Sequence, residues 1–230
     1  MLRIYLFAGV VPALLLLGYI YRLDRVEKEP IDLLVKLFFM GGLTTFFAMI
    51  LESIGMYILG SLPITNRLLF EALEFIVVVG GSEEFVKRFA LERYSWTHPR
   101  FNYRFDGVVY SVAVAAGFAA FENVMYLFQF GLQLAPMRAM LAIPMHVICG
   151  IFMGHYYGEA KRACDMNNDA RRRSFRVLSL VVPDLLHGIY DLCAATQSTE
   201  LAGWFFVYVV IVDIAAFICV RRFAAEDAPA

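Results

Sequence analysis

Long apolar runs dominate this chain, where a soluble domain would show an amphipathic stripe or a strand-like alternation. Seven of them can be read, at residues 2–21, 34–59, 67–90, 105–129, 137–160, 176–196 and 200–221. Each reaches the roughly 20 residues that a helix needs to cross hydrocarbon at about 1.5 Å per residue. None alternates as a β-strand would, so a helical bundle is the remaining way to satisfy every backbone group in lipid. The pattern predicts an all-α, polytopic membrane bundle of about seven transmembrane helices. The third run is the weakest, because it carries Glu71, Glu74, Glu83 and Glu84, and a break is expected at Gly80-Gly81-Ser82.

The basic residues supply an independent check. Sixteen of the twenty Lys and Arg fall in 22–32, 87–104, 161–176 and the C-terminal tail. The alternate connections, 60–66, 130–136 and 197–199, contain none, although Arg67 and Arg138 lie just beyond two of them. Positive-inside logic places the N-terminus outside and the C-terminus in the cytoplasm. The first run lacks a small-residue cleavage site, ending instead in Tyr19-Ile20-Tyr21-Arg22, so it is expected to be a retained span and not a signal peptide. One transmembrane domain is expected over 1–223, with a disordered tail at 224–230. The expected location is the plasma (inner) membrane, with multiple passes.

Composition agrees. Sixty per cent of the 230 residues are apolar and 18% charged, with a mean hydropathy of +0.65; soluble domains are nearer 45–50% and 25%. A net charge of −1 without an unbroken basic patch argues against a nucleic-acid partner. Three of the four cysteines sit in apolar runs and Cys164 in an expected cytoplasmic loop, so no disulfide framework is predicted.

The informative residues are the ionisable ones inside the spans, which are costly in lipid and mark function. Besides the glutamates of the third run, these include Glu52, Glu122, His146, His155, Asp184, His187, Asp191 and Asp213. Four ordered patterns stand out. Glu83-Glu84-x-x-Lys87 sets two adjacent carboxylates one turn from an ammonium, the electrostatic setting for a general base. Phe121-Glu122-Asn123-x-x-Tyr126 lies in a helix of small residues, which lets neighbours approach. His146 shares a face with Gly150 and Gly154, leaving room for a backbone or a substrate. His187 and Asp191 are four apart, so the carboxylate can orient the imidazole. Each pattern alone also fits a buried structural hydrogen bond or a charged helix end; four of them on four helices favour a site.

In that order these motifs resemble the PrsW family of intramembrane proteases, part of a wider group with the CAAX prenyl endopeptidases and bacteriocin-processing membrane proteases. The stretch Asp24-Arg25-x-Glu27-x-Glu29-Pro30 and the run Asp106-Gly107-x-x-Tyr110 leading into Gly117-Phe118-Ala119 are similar too. The likeness covers roughly 15–195. Ser111 stands where the family pattern leads one to expect glycine, away from any proposed catalytic atom.

The resemblance implies hydrolysis of peptide bonds in membrane-anchored proteins or peptides, such as regulatory single-span proteins. A water activated by Glu83 or Glu84 would attack, with His146 or His187 stabilising the oxyanion. Asp191 would orient His187, Glu122 and Asn123 would support the water or its surroundings, and Tyr126 and Lys87 complete the motifs. On this reading no cofactor is needed. The alternative is a zinc enzyme with Glu84, His146 and His187 as ligands. A proton-coupled transporter or a non-catalytic membrane scaffold are the readings from other classes. Transporters usually show internal repeats, and none is found here. A straight helix over 67–90 would bury Glu83 about 25 Å down, deeper than the two histidines lie in their spans; a broken or later-starting helix has to reconcile them.

Overall fold

The computed structural model describes residues 2–195 and 199–230. Its elements are helices: α1 (Leu2–Leu23), α2 (Ile31–Gly60), α3 (Arg67–Ala72), a π-helical segment (Leu73–Gly80), α4 (Gly81–Ser95), α5 (Arg104–Phe130), a 3-10 turn (Leu132–Leu134), α6 (Ala135–Met140), α7 (Ala142–Asp165), α8 (Asp169–Ala195) and α9 (Thr199–Ala225). Among the described residues no strand forms, and one isolated bridge pairs Tyr103 with Pro229. The predicted helical bundle is the observed architecture.

Six helices, among the described residues, are long and apolar enough to cross a membrane: α1, α2, α5, the stretch Leu132–Asp165, α8 and Gly203–Ala225 of α9. The third predicted span is not among them. It is helical over Arg67–Ser95 but carries more charged side chains than a simple span, Glu71, Glu74, Glu83, Glu84 and Lys87 among them. The expected break at Gly80-Gly81 is a change of winding: wide π-turns run up to Gly80, and α-helix continues from Gly81. A true break falls instead at Leu141, where φ −122° and ψ −63° separate α6 from α7 and split the predicted span 137–160.

Helix α5 is the axis of the bundle, packed against α1, α2, α4 and α7. Almost every residue from Phe105 to Ala120 is buried. Its small side chains allow that. A Cβ on Gly117 would sit 1.8 Å from the Phe38 carbonyl oxygen of α2, and one on Gly154 of α7 would sit 2.4 Å from that of Gly107. The glycine face beneath His146 therefore admits the backbone of α5, not a substrate. Two backbone N–H groups, from Asn102 and Tyr103, donate to Asp106 Oδ2 at 3.0 and 2.7 Å and fix where α5 begins.

The helices overrun their apolar cores at one end. Residues 169–175, expected between spans, belong to α8, and 91–95 to α4. Intrahelical pairs such as Arg88–Glu92 and Lys161–Asp165 support these extensions. The basic connections meet at this same end. Glu27 pairs with Arg100 and accepts from Asn102; Arg176 pairs with Glu92; Arg104 N–H donates to Ala228 O at 3.1 Å. The alternation of basic residues along the sequence is thus a two-ended distribution in space. The tail expected to be disordered lies on this end: Phe105 N–H donates to Asp227 Oδ1 and Ala230 N–H to Asn102 O. Asp24 and Glu29, in the loop before α2, are also buried there; Glu29 accepts from the Tyr110 hydroxyl. Burial raises the Asp24 carboxyl to about 6 and pushes Glu29 up as well. All four cysteines are free, as the sequence suggests.

Candidate active site

Three helices bring the clustered side chains together. Glu83 and Glu84 stand in the first turn of α4, His146 one turn into α7, and His187 two turns before the end of α8. One ligand atom each from Glu83, Glu84, His146 and His187 lies within 4.8 Å of the others, and all four residues are buried. The imidazoles meet edge to face with centroids 4.9 Å apart. Despite the depth expected for Glu83 from a straight helix, its carboxylate and both imidazoles meet at one level of the bundle.

Lys87 sits within the cluster. Its Nζ is 3.0 Å from Glu83 Oε2, 2.8 Å from Glu84 Oε1 and 3.0 Å from His146 Nδ1, over the ring of Phe118. An ammonium only donates, so His146 Nδ1 presents its lone pair to the centre. Its Nε2–H then donates to Glu122 Oε2, 3.0 Å away. His187 is placed likewise, with Nδ1 2.9 Å from Glu84 Oε1 and Nε2 3.4 Å from Asp191 Oδ2. Both its nitrogens face carboxylates, so with only these neighbours the ring is an imidazolium.

The donor set suits a divalent metal. Two imidazoles and two carboxylates are zinc-type ligands. Each histidine turns one nitrogen inward and the other onto a carboxylate, the arrangement that orients metal-bound histidines. Glu84 Oε2 is buried and has no hydrogen-bond partner, which leaves a ligand atom over. Lys87, touching the same atoms, is the one group that would have to yield or shift.

The supporting residues divide. Glu122 and Asp191 touch the histidines. Asn123 does not reach the centre: its Nδ2 lies 3.4 Å from the Ala8 and Gly9 carbonyls of α1, and its Oδ1 accepts from Arg138 at 2.9 Å. The Tyr126 ring lies under the Arg138 guanidinium at 3.9 Å. Asp184, a rival partner for His187, turns to Gly80, with Oδ1 unpaired. His155 stacks on Phe223 at 3.7 Å, far along α7 from the cluster.

Arg138 is the residue that sequence reading missed. From α6 it donates to Glu122 Oε2 at 2.6 Å, the oxygen that also receives His146. Its signal was present, one of the few arginines at the end of the bundle where basic residues are scarce.

A cavity of about 760 Å³ opens beside the cluster, lined by Glu52, Glu83, Glu122, His146, His187 and Asp191 together with apolar and aromatic side chains. Glu84 does not line it. The arrangement sets a carboxylate at the cavity wall beside a buried cluster that could hold a metal ion.

The chain is similar in sequence to known proteins. The model of a family described as "PrsW family intramembrane metalloprotease" matches residues 29–218. A protein named Protease PrsW from Bacillus subtilis is 34% identical over 199 residues, covering 86% of this chain and 84% of that one. Proteins of the same name from Geobacillus kaustophilus and Clostridioides difficile are 35% and 31% identical, covering 80% and 88% of this chain and 76% and 84% of theirs. No solved structure matches.

Proposed function

This chain belongs to the PrsW family, an integral, multi-pass intramembrane protease of the plasma membrane, and from that premise we propose that it cuts membrane-anchored proteins by metal-assisted hydrolysis at the Glu83–Glu84–His146–His187 cluster. The observation that carries this reading is the pair of imidazoles, each with Nδ1 turned to the cluster and Nε2 on a carboxylate.

His146, His187 and Glu84 would hold the metal, zinc being the fit for that donor set. When bound it supplies Lewis acidity, polarising the scissile carbonyl and making a water acidic enough to ionise near neutral pH. Glu83, which faces the cavity, takes a proton from the attacking water. The hydroxyl adds to the carbonyl carbon, the C–N bond breaks, and Glu83 returns the proton to the leaving amine, so one water is consumed per bond cut. Glu122 and Asp191 keep the imidazoles in the tautomer that offers Nδ1. Lys87 offsets the charge of the glutamate pair. The apolar cavity wall keeps bulk water from the reacting carbonyl.

One observation favours a metal-free variant. Lys87 Nζ bridges both glutamates and His146, and His187 has acceptors at both nitrogens. There Glu83 or Glu84 is the base and the His187 imidazolium donates to the oxyanion.

The test is reconstitution with a library of single-span substrates, metal analysis of the purified protein, and chelation. The metal-assisted reading expects about one divalent ion per chain, loss of cleavage with chelator, and recovery on adding zinc. Full cleavage by metal-free protein overturns it in favour of the variant. Cleavage as in the parent by Glu84→Gln, Glu83→Gln, His146→Ala and His187→Ala together overturns the proteolytic site.

A further inference from the structure

The cavity contains one charged side chain that the chemistry above leaves unused. Four carboxylates line it, from Glu52, Glu83, Glu122 and Asp191. Glu83 is paired with Lys87, Glu122 with Arg138 and His146, and Asp191 with His187. Glu52 has no hydrogen bond or ion pair to any described residue. It stands on the face of α2 that also presents Thr45, Ala48 and Met49 to the cavity. The Thr45 hydroxyl donates to the Gly42 carbonyl at 2.7 Å, so no polar group of that wall is turned to Glu52.

The surroundings also lack a positive charge to spare. Glu52 acts electrostatically on Glu83, Glu122, Lys87 and His187, so it shares the field of the reacting centre. Lys87 and Arg138, the permanently positive groups there, are each held by other carboxylates. A carboxylate facing a largely apolar cavity is costly unless an opposite charge joins it.

Resting on the proteolytic reading, we propose that Glu52 selects substrates carrying a lysine or arginine side chain close to the scissile bond. A peptide segment in the cavity, with its carbonyl at the cluster, runs past the α2 wall. A basic side chain there meets Glu52 in a site of low dielectric, where a charge pair discriminates more strongly than in water. An acidic side chain at the same position is repelled by Glu52 as well as by Glu83.

The experiment uses reconstituted full-length protein and a panel of single-span substrates. Each carries Lys, Gln or Glu at one position within four residues of the cut. The parent is expected to prefer Lys over Gln at one position by roughly tenfold in kcat/KM, mostly through KM, and to disfavour Glu. Glu52→Gln should bring the Lys-to-Gln ratio close to one, and Glu52→Lys should invert the order of Lys and Glu. Thermal unfolding and size-exclusion profiles of Glu52→Gln, which preserves shape, show whether the fold is intact.

Cleavage that depends on Glu84 but shows no charge preference overturns the inference and leaves the protease reading standing. So does a preference that survives in Glu52→Gln. A fall in kcat for all substrates alike, with the charge preference retained, gives Glu52 a proton-carrying role and also overturns it. If no member of the panel is cut, or Glu84→Gln cuts as the parent does, the protease reading fails first and this inference with it.

Discussion

The two halves of α5 solve opposite problems. From Phe105 to Ala120 the helix is enclosed on all sides by α1, α2, α4 and α7, with glycines at the crossings. From Phe121 to Phe130 it opens onto the cavity, presenting Glu122, Met125, Tyr126 and Gln129. Beyond the bonds of Asp106 and Tyr110 near its start, the first half is held mainly by close apolar packing, which asks for small size more than for particular atoms. The second half is held by a few polar contacts that need particular atoms. Stability and reactivity are therefore separated along a single helix, so substitutions in the two halves should fail in different ways.

The largest effect is expected in the packed half. Gly117→Val puts a side chain where the Phe38 carbonyl lies, and overpacking of backbone against backbone costs at least about 3 kcal/mol. The expected outcome is loss of folded protein, seen as an aggregated size-exclusion profile. A well-folded Gly117→Val protein would mean that the α2–α5 crossing is looser than described.

In the open half and its neighbours, folding should survive while chemistry is lost. Glu83→Gln is expected to keep its metal and lower kcat by about 10²–10⁴-fold. Glu84→Gln is expected to lose the metal as well. Metal content and single-turnover rates measured together separate the two glutamates; identical behaviour would refute their division of labour.

Smaller is the effect of Arg138→Gln. Freed from the guanidinium, Glu122 no longer holds His146 in one orientation, and metal affinity should fall by about 10–100-fold. Competition with a chromophoric chelator measures it, and Arg138→Lys should recover part of the loss.

The smallest effect lies at the far end of the packed half, where the loop before α2 docks. Burial lifts Asp24 to about 6 from a usual value of 3.8. The folded form therefore holds its proton over a range where the unfolded chain has lost it, so the contribution of this group becomes less favourable as pH rises from about 4 to 6. Hydrogen exchange of residues 24–30, corrected for intrinsic rates, should be faster at pH 7 than at pH 5, and Asp24→Asn should reduce the difference, the remainder belonging to the buried Glu29.

How much of this was legible in the sequence follows the same division. Apolar runs and basic loops are local signals, so the helices and their two-ended charge could be read directly. Glu83, Glu84, His146 and His187 stood out because ionisable groups are rare in such runs, and the structure brings them together. Helix ends were misread where salt-bridged turns such as Arg88–Glu92 carry a helix past its apolar segment. The split at Leu141 was missed although Pro144, in the first turn of α7, is a helix-start signal. Arg138 and Glu52 lacked motifs; their neighbours come from other helices, and sequence spacing does not report that. The tail 224–230 has the composition of a disordered segment, and its backbone bonds to 102–105 depend on a partner far away in sequence.

The wound-out turns at Leu73–Gly80 have a consequence for how this stretch can vary. A π-helix spends about one more residue per turn than an α-helix, so it sets the angle at which everything after it emerges. Its side chains are mostly aliphatic and could be exchanged among themselves at modest cost. Their number could not be: removing one residue would swing Glu83 and Glu84 by roughly 100° away from the histidines. Along these eight positions the protein is tolerant of spelling and intolerant of length.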